Sequence, residues 1–312
     1  INGAMQVAQR GTSSTGVGAS NGVYPTVDRF IFEAGNTAGR LTMTQETISD
    51  LSGFTKAIKL ACTTADTSVA ADEFLMLGQR FEGQDLQQLK KGTSDAEKVT
   101  VSFYVKGNAN ATYTLELRDN DNSRSNSQEF SVTTSWNRVS MTFDGDTSGA
   151  LDNDNALSLK CNIWLHGGST YTGGTHTSNT WHGTNNQRVG DNQTSFFDST
   201  DRTFGEELDL CERYFKRLEV GNNTRISTAA YADTTSRARF VIYHTPEMRQ
   251  APTAAETNLD LEGTDTDAIA TAGTNDLSDV IITRSAGSHS TGDILQVHTG
   301  STVATLDFDA EL

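Results

Sequence analysis

The 312 residues carry 40 Asp and Glu against 24 Lys and Arg, a formal charge of −16, and a chain so acidic is repelled by nucleic acid and by anionic membranes. Hydrophobic residues are 35% of the sequence, with 27 Gly and 3 Pro; short apolar segments between Thr, Ser, Asn and Asp clusters point to a loop-rich all-β protein. The length suits two domains, each with room for a core.

Segment 2–22 reads as short apolar residues followed by a Gly/Ser/Thr loop. Its GVGASNG approaches a dinucleotide fingerprint, but no strand leads into it and no helix leaves it. Nine strand candidates follow, at 27–34, 40–47, 54–62, 74–83, 99–107, 112–119, 128–133, 137–143 and 157–167. Val99, Val101, Phe103 and Val105 share one face, as do Tyr113, Leu115 and Leu117, the period-two signature of a sheet with a buried side. These strands predict a jelly-roll β-sandwich over 1–204.

Next, 204–220 reads as a helix, the connecting element 205–220. Leu208, Cys211, Phe215 and Leu218 recur at steps of three and four. Glu206, Glu207 and Asp209 open it and Arg213, Lys216 and Arg217 close it, opposing the helix dipole. A helix of about thirteen residues is marginal alone and needs a partner surface. Four further runs, 238–245, 279–285, 294–300 and 302–310, give a small β-domain over 221–312. It is poor in large apolar side chains, which favours oligomerisation.

Cys62, Cys161 and Cys211 show no CxxC spacing and are expected as buried free thiols. No apolar run approaches the roughly 18 residues of a membrane span, so no membrane insertion is expected. Ile1 is followed by no signal-peptide pattern, and the lack of a Met before it points to a processed chain or a longer protein.

No GxSxG, P-loop, HExxH or EF-hand pattern is present. The carboxylate pair of a glycosidase has no sequence spacing by which to recognise it. Two DNDN turns place Asp119, Asp121, Asp152 and Asp154 as candidate calcium ligands, although ordinary Asx-stabilised hairpin turns are the favoured reading of them; otherwise no cofactor is expected. The chemically richest stretch is 164–186. Trp164 belongs to a strand, and Trp136 is expected in the sandwich core. Tyr171 and Trp181 are expected as exposed stacking faces for a sugar, with His166, His176, His182 and Asn185 bonding its hydroxyls. The three histidines match no zinc spacing.

Taken together and in order, INGAMQVAQRGTS at the start, YPTVDRF at 24–30, GQRFEG at 78–83, KVTVSFYVKG at 98–107, TTSWNRVSMTFDGDTSG at 133–149, EELDLCERYF at 206–215, EMRQAPT at 247–253 and LDFDAEL at 306–312 resemble a family of bacteriophage tail-fibre and minor virion proteins. The resemblance implies a jelly roll similar to carbohydrate-binding modules, a short helix and a small C-terminal β-domain at the host-facing end of a virion appendage, with no catalytic residues. One departure stands out: the family pattern has a strand with a Gln-Leu-Glu core before the helix, whereas here 195–204 runs into it, so that strand is either replaced or missing. The resulting expectation is a homo-oligomer, a trimer, that joins other virion proteins and binds bacterial surface polysaccharide without cleaving it. A purely structural virion component, such as a fibre segment or capsid decoration, and a polysaccharide depolymerase are the alternatives.

Overall fold

A computed structural model of the chain describes residues 1–185, 211–221, 225–261, 264–265, 268–283, 290–299 and 304–311. The chain divides into two compact units, Ile1–Phe204 and Gly205–Glu311, and no sheet among the described strands draws on both. Stretch 195–204 and the first half of the expected helix lie outside the described residues.

Unit 1 contains β1 (Ser13–Val17), β2 (Ile31–Gly35), β3 (Arg40–Thr47), β4 (Lys56–Thr64), β5 (Phe74–Glu82), β6 (Val99–Val105), β7 (Ala111–Asp119), β8 (Arg124–Val132), β9 (Asn137–Phe143) and β10 (Leu157–Gly167). All pairings are antiparallel, in a five-stranded sheet β2-β5-β10-β7-β8, a three-stranded sheet β1-β3-β4 and a pair β6-β9. One core joins them: Phe32, Leu77, Leu115 and Leu165 from the five-stranded sheet meet Met43, Leu60, Phe103 and Phe143 from the other two. This is the expected β-sandwich of jelly-roll type, and β2–β10 fall on the nine expected strands. β1 is an addition, in a segment whose Gly/Ser/Thr content reads as loop; it pairs along β3.

Two expectations about unit 1 change. Trp136 is half-buried, with Lys106 Nζ 5.0 Å from its ring centre, and stands outside the core cluster. It precedes β9 at the sandwich margin, and Trp181 is the tryptophan that packs on the core. Cys62 is exposed, because it lies on the edge strand β4 past Leu60, that strand's last buried position.

Unit 2 contains β11 (Phe215–Val220), β12 (Arg225–Thr234), β13 (Arg237–Tyr243), β14 (Thr253–Thr257), β15 (Leu259–Leu261), β16 (Thr264–Asp265), β17 (Ala268–Gly273), β18 (Leu277–Thr283), β19 (Ile294–Thr299) and β20 (Ala304–Asp309). They form a three-stranded sheet β11-β20-β14 and a seven-stranded sheet β16-β15-β19-β12-β13-β18-β17. The core includes Phe240, Met248, Leu261, Val280, Ile282, Leu306 and Phe308, but also Ala230, Ala232, Ala238, Ala304 and Ala310. It is thin, as the composition foretold.

The expected helix is corrected over its second half. Cys211 and Glu212 are helical, and Tyr214 N–H donates to the Cys211 carbonyl at 2.9 Å. From Phe215 the chain is strand, paired residue by residue with β20. Arg217 lies opposite Asp307 and grips its carboxylate with Nε and Nη2, at 2.7 and 2.6 Å. A full ladder and this two-pronged ion pair outweigh the propensity of a helix too short to stand alone.

Candidate functional site

The loop after β10 begins with a tight join. A Cβ on Gly168 would lie 1.9 Å from the Ala70 carbonyl oxygen, so glycine is required there. This closeness lets Gly168 N–H donate to Glu73 O at 2.8 Å and Thr170 N–H to Ala71 O at 2.9 Å. The four-residue helical turn Ser169–Thr172 follows and lays Tyr171 against Phe74 and Trp164, with ring centres 5.5 and 5.2 Å away. Trp164 is fully buried on the sheet face away from the core, and its Nε1 donates to Glu116 at 3.0 Å. Glu116, also fully buried, accepts further bonds from Ser125 Oγ at 2.7 Å and Asn162 Nδ2 at 3.2 Å.

Farther along, the loop is sewn to β8, the edge of the five-stranded sheet. Ser125 and His182 exchange backbone hydrogen bonds at 2.8 and 2.9 Å, and Asn179 N–H donates to Ser127 O at 3.1 Å. An edge strand otherwise presents unpaired backbone groups, so the loop has a protective role. Trp181 is half-buried on the core; its Nε1 donates to Asp144 O at 2.7 Å and Lys91 Nζ stands 5.2 Å from its ring centre. Lys91 is itself buried and meets Asp119 at 2.5 Å, Asp146 at 3.0 Å and the carbonyls of Ser148 and Gly149 at 3.0 and 2.9 Å.

The expected sugar contacts therefore do not share one place. His176 Nε2 lies 3.1 Å from Ser127 Oγ, and His182 is paired with Ser125, so both stand along β8. His166 is on β10, with β7 between the two strands. Neither ring expected to be free is fully exposed: Tyr171 and Trp181 are both half-buried, while Asn185 is exposed. The acidic turns are occupied locally. Asp119 holds Lys91 and Asn122, Asp121 accepts the Asp152 N–H at 3.0 Å, and Asp154 accepts the Ala156 N–H at 3.0 Å. Among the described residues no group of three or more His, Cys, Asp or Glu is placed to hold a metal ion.

His166 lines a cavity of about 310 Å³ at one end of the sandwich. Leu41, Leu75 and Leu165 form its apolar part, while Arg40, Thr64, Asp66 and Asn108 bring polar groups. His166 is 7% exposed, and its Nε2 is buried without a hydrogen-bond partner among the described residues. Burial pushes its pKa below the usual value against the pull of Asp66 and Glu73, so the ring is neutral at neutral pH. Asp66 is held below the usual carboxylate range, first by the Thr37 hydroxyl at 2.8 Å. Arg40 Nη1 donates to the carbonyls of Thr37 and Gly39 at 2.8 and 2.6 Å, which leaves Nε and Nη2 without a partner among the described residues. Donors, a fixed carboxylate and a buried imidazole ring thus line one cavity beside an apolar wall. Sequence reasoning finds only His166 of this set, since Arg40, Asp66 and Asn108 come from separate loops and strand ends that topology alone brings together.

A larger cavity, about 450 Å³, opens between β6 and the strands β5, β10 and β7. Phe30, Phe81, Leu86, Leu89, Val101 and Ile163 line it. Cys161 is there too, its thiol pushed up by burial to about 12. Its walls offer few partners for hydroxyl groups, so the smaller cavity is the better match to a polar ligand.

No protein-family model matches the chain, and no curated protein matches it. Among solved structures it is similar to one described as "CBM4 structure and function", 14% identical over 64% of this chain and 94% of that one, with a TM-score of 0.32. Two structures of discoidin II from Dictyostelium discoideum are similar at 11% and 10% identity, covering 86% and 78% of this chain and 87% and 78% of theirs, each with a TM-score of 0.18. Likeness this slight carries no argument, and the β-sandwich rests on the strand pairing itself.

Proposed function

We propose that the chain is a non-catalytic carbohydrate-binding protein whose site is the His166 cavity, and that it binds bacterial surface polysaccharide as a homo-oligomer in a virion appendage. One observation carries the carbohydrate reading: the buried His166 ring lines a cavity that combines Asp66, Arg40 and Asn108 with a leucine wall. Sugars present hydroxyls that both donate and accept, and C–H faces that need apolar cover, so a mixed donor and acceptor array beside an apolar wall suits them. Asp66 is the one carboxylate among the described residues lining the cavity. Glycosidic hydrolysis ordinarily takes two, which supports binding without cleavage. The resemblance to tail-fibre and minor virion proteins supplies the setting, and a trimer would raise the avidity of a weak single site.

The test is a polysaccharide array probed with the intact protein, paired with a reducing-sugar assay on the same polysaccharides. Retention of the protein without sugar release is the expected result. Sugar release would make it a depolymerase, and no retention on any bacterial polysaccharide would leave the structural-component alternative.

A further inference from the structure

The seven-stranded sheet of unit 2 carries large apolar side chains on both faces. Its core face carries Ala232, Phe240, Val280 and Ile282. The opposite face carries every large hydrophobic side chain exposed among the described residues: Tyr231 at 47%, Val241 at 48%, Tyr243 at 73% and Ile294 at 64%. The register places them together. Tyr231 on β12 lies opposite Ile294 on β19 and Arg239 on β13, and Val241 and Tyr243 follow Arg239 at steps of two, on the same side of the pleat.

Charge on this face is internally balanced. Arg237 Nη2 and Arg239 Nε reach Asp233 at 2.7 and 2.6 Å, and Arg239 Nη1 reaches Asp279 at 2.6 Å. The Arg237 hydrogen bond, followed by that of Arg239, pulls Asp233 down to about 2, so the balance holds across the physiological pH range. Two arginines and two aspartates give a neutral patch on a chain of net charge −16.

We propose that this face of β19, β12, β13 and β18 is where copies of the chain meet. The proposal deepens the oligomer reading above and is independent of the carbohydrate reading. A second copy is favoured over a glycan because Val241 and Ile294 are aliphatic and offer no stacking ring, and because the face's charged groups are already paired with one another. A second copy is also favoured because like approaches like: surfaces of an acidic chain repel one another except where charge is locally neutral. The alanine-rich core of unit 2 adds a reason, since a thin core gains from burial of its outer face.

Sedimentation velocity and light scattering on the full chain test it, across a hundredfold range of concentration, with the double variant Tyr243→Glu, Ile294→Glu alongside. Both positions are exposed, so folding is expected to persist, as read by circular dichroism. The parent should be an oligomer, and the variant should need at least about thirtyfold more protein to reach half-assembly, as loss of central contacts does. A monomeric parent overturns both the oligomer reading and this one. An oligomer that persists unchanged in a folded variant overturns this assignment alone, and places the interface elsewhere. A single variant, Tyr243→Ser, guards against a folding defect in the double: it too should weaken assembly, and unchanged assembly there would count against the face.

Discussion

In unit 1 the five-stranded sheet is buried on both faces, whereas the seven-stranded sheet of unit 2 is buried on one. Away from the unit 1 core, Thr114, Glu116, Ser127, Asn162 and Trp164 are buried as a polar and aromatic layer, cross-linked through the Glu116 carboxylate. On the corresponding face of unit 2, tyrosines and aliphatic residues face solvent. The difference shows that polarity alone does not report exposure: a polar face closes when each buried group finds a partner, and an apolar face stays open where no layer of the described residues of its own unit covers it.

The largest expected effect that sharpens this contrast is Trp164→Ala. It removes a fully buried indole, a donor to Glu116 and the seat of Tyr171, and should cost unit 1 about 3–5 kcal/mol, read as an earlier unit 1 transition in denaturant while unit 2 unfolds as before. Lys91→Met should cost a similar amount, about 3–5 kcal/mol, since Asp119 and Asp146 would stay buried without the ammonium between them. By contrast Trp136→Ala, at a half-buried margin, should cost roughly 1 kcal/mol, in the ordinary range for a point substitution. An equal loss from Trp136 and Trp164 would contradict the assignment of layers.

Acidity provides a smaller, two-sided probe. Burial holds the pKa of His166 in unit 1 and His244 in unit 2 below the usual value. The unfolded chain therefore takes up these protons first, near pH 6.5. Stability is at its full value above that pH and falls as pH drops below it toward the folded-state pKa. Melting temperatures between pH 7.5 and 5 should decline for both units, and His166→Leu should flatten the decline in unit 1 only. A decline in unit 1 that is unchanged in that variant would place its titrating group elsewhere.

Much of unit 1 was legible in the sequence because several of its strands alternate clearly: β6 and β7 announce themselves through Val101, Phe103, Leu115 and Leu117. Unit 2 was legible only in part. β13, β18, β19 and β20 were expected, but β12, β14 and β17 are rich in Ala and Thr, which carry little periodic contrast. Phe215–Val220 misled because FKRLEV carries charges at helical spacing, while its strand partner β20 lies about ninety residues away. The candidate site divides the same way. His166 stood out as one of three histidines in the stretch 164–186, but its cavity is assembled from Arg40, Asp66 and Asn108, and no spacing links them. Trp181 looked like a platform because it sits among Gly, Thr and Asn, and nothing local reports that Asp144 and Lys91 already engage it.

The most direct test of the carbohydrate assignment is calorimetric titration of the intact protein and its His166→Leu variant with fragments of a polysaccharide the array identifies. Replacing an unpaired buried polar group with an apolar one of similar size is near neutral or stabilising. The variant should therefore melt no lower than the parent at pH 7.5 while its affinity falls at least about tenfold, the loss of roughly one good hydrogen bond. Equal affinity in parent and variant, or a loss confined to Trp181→Ala, would contradict it.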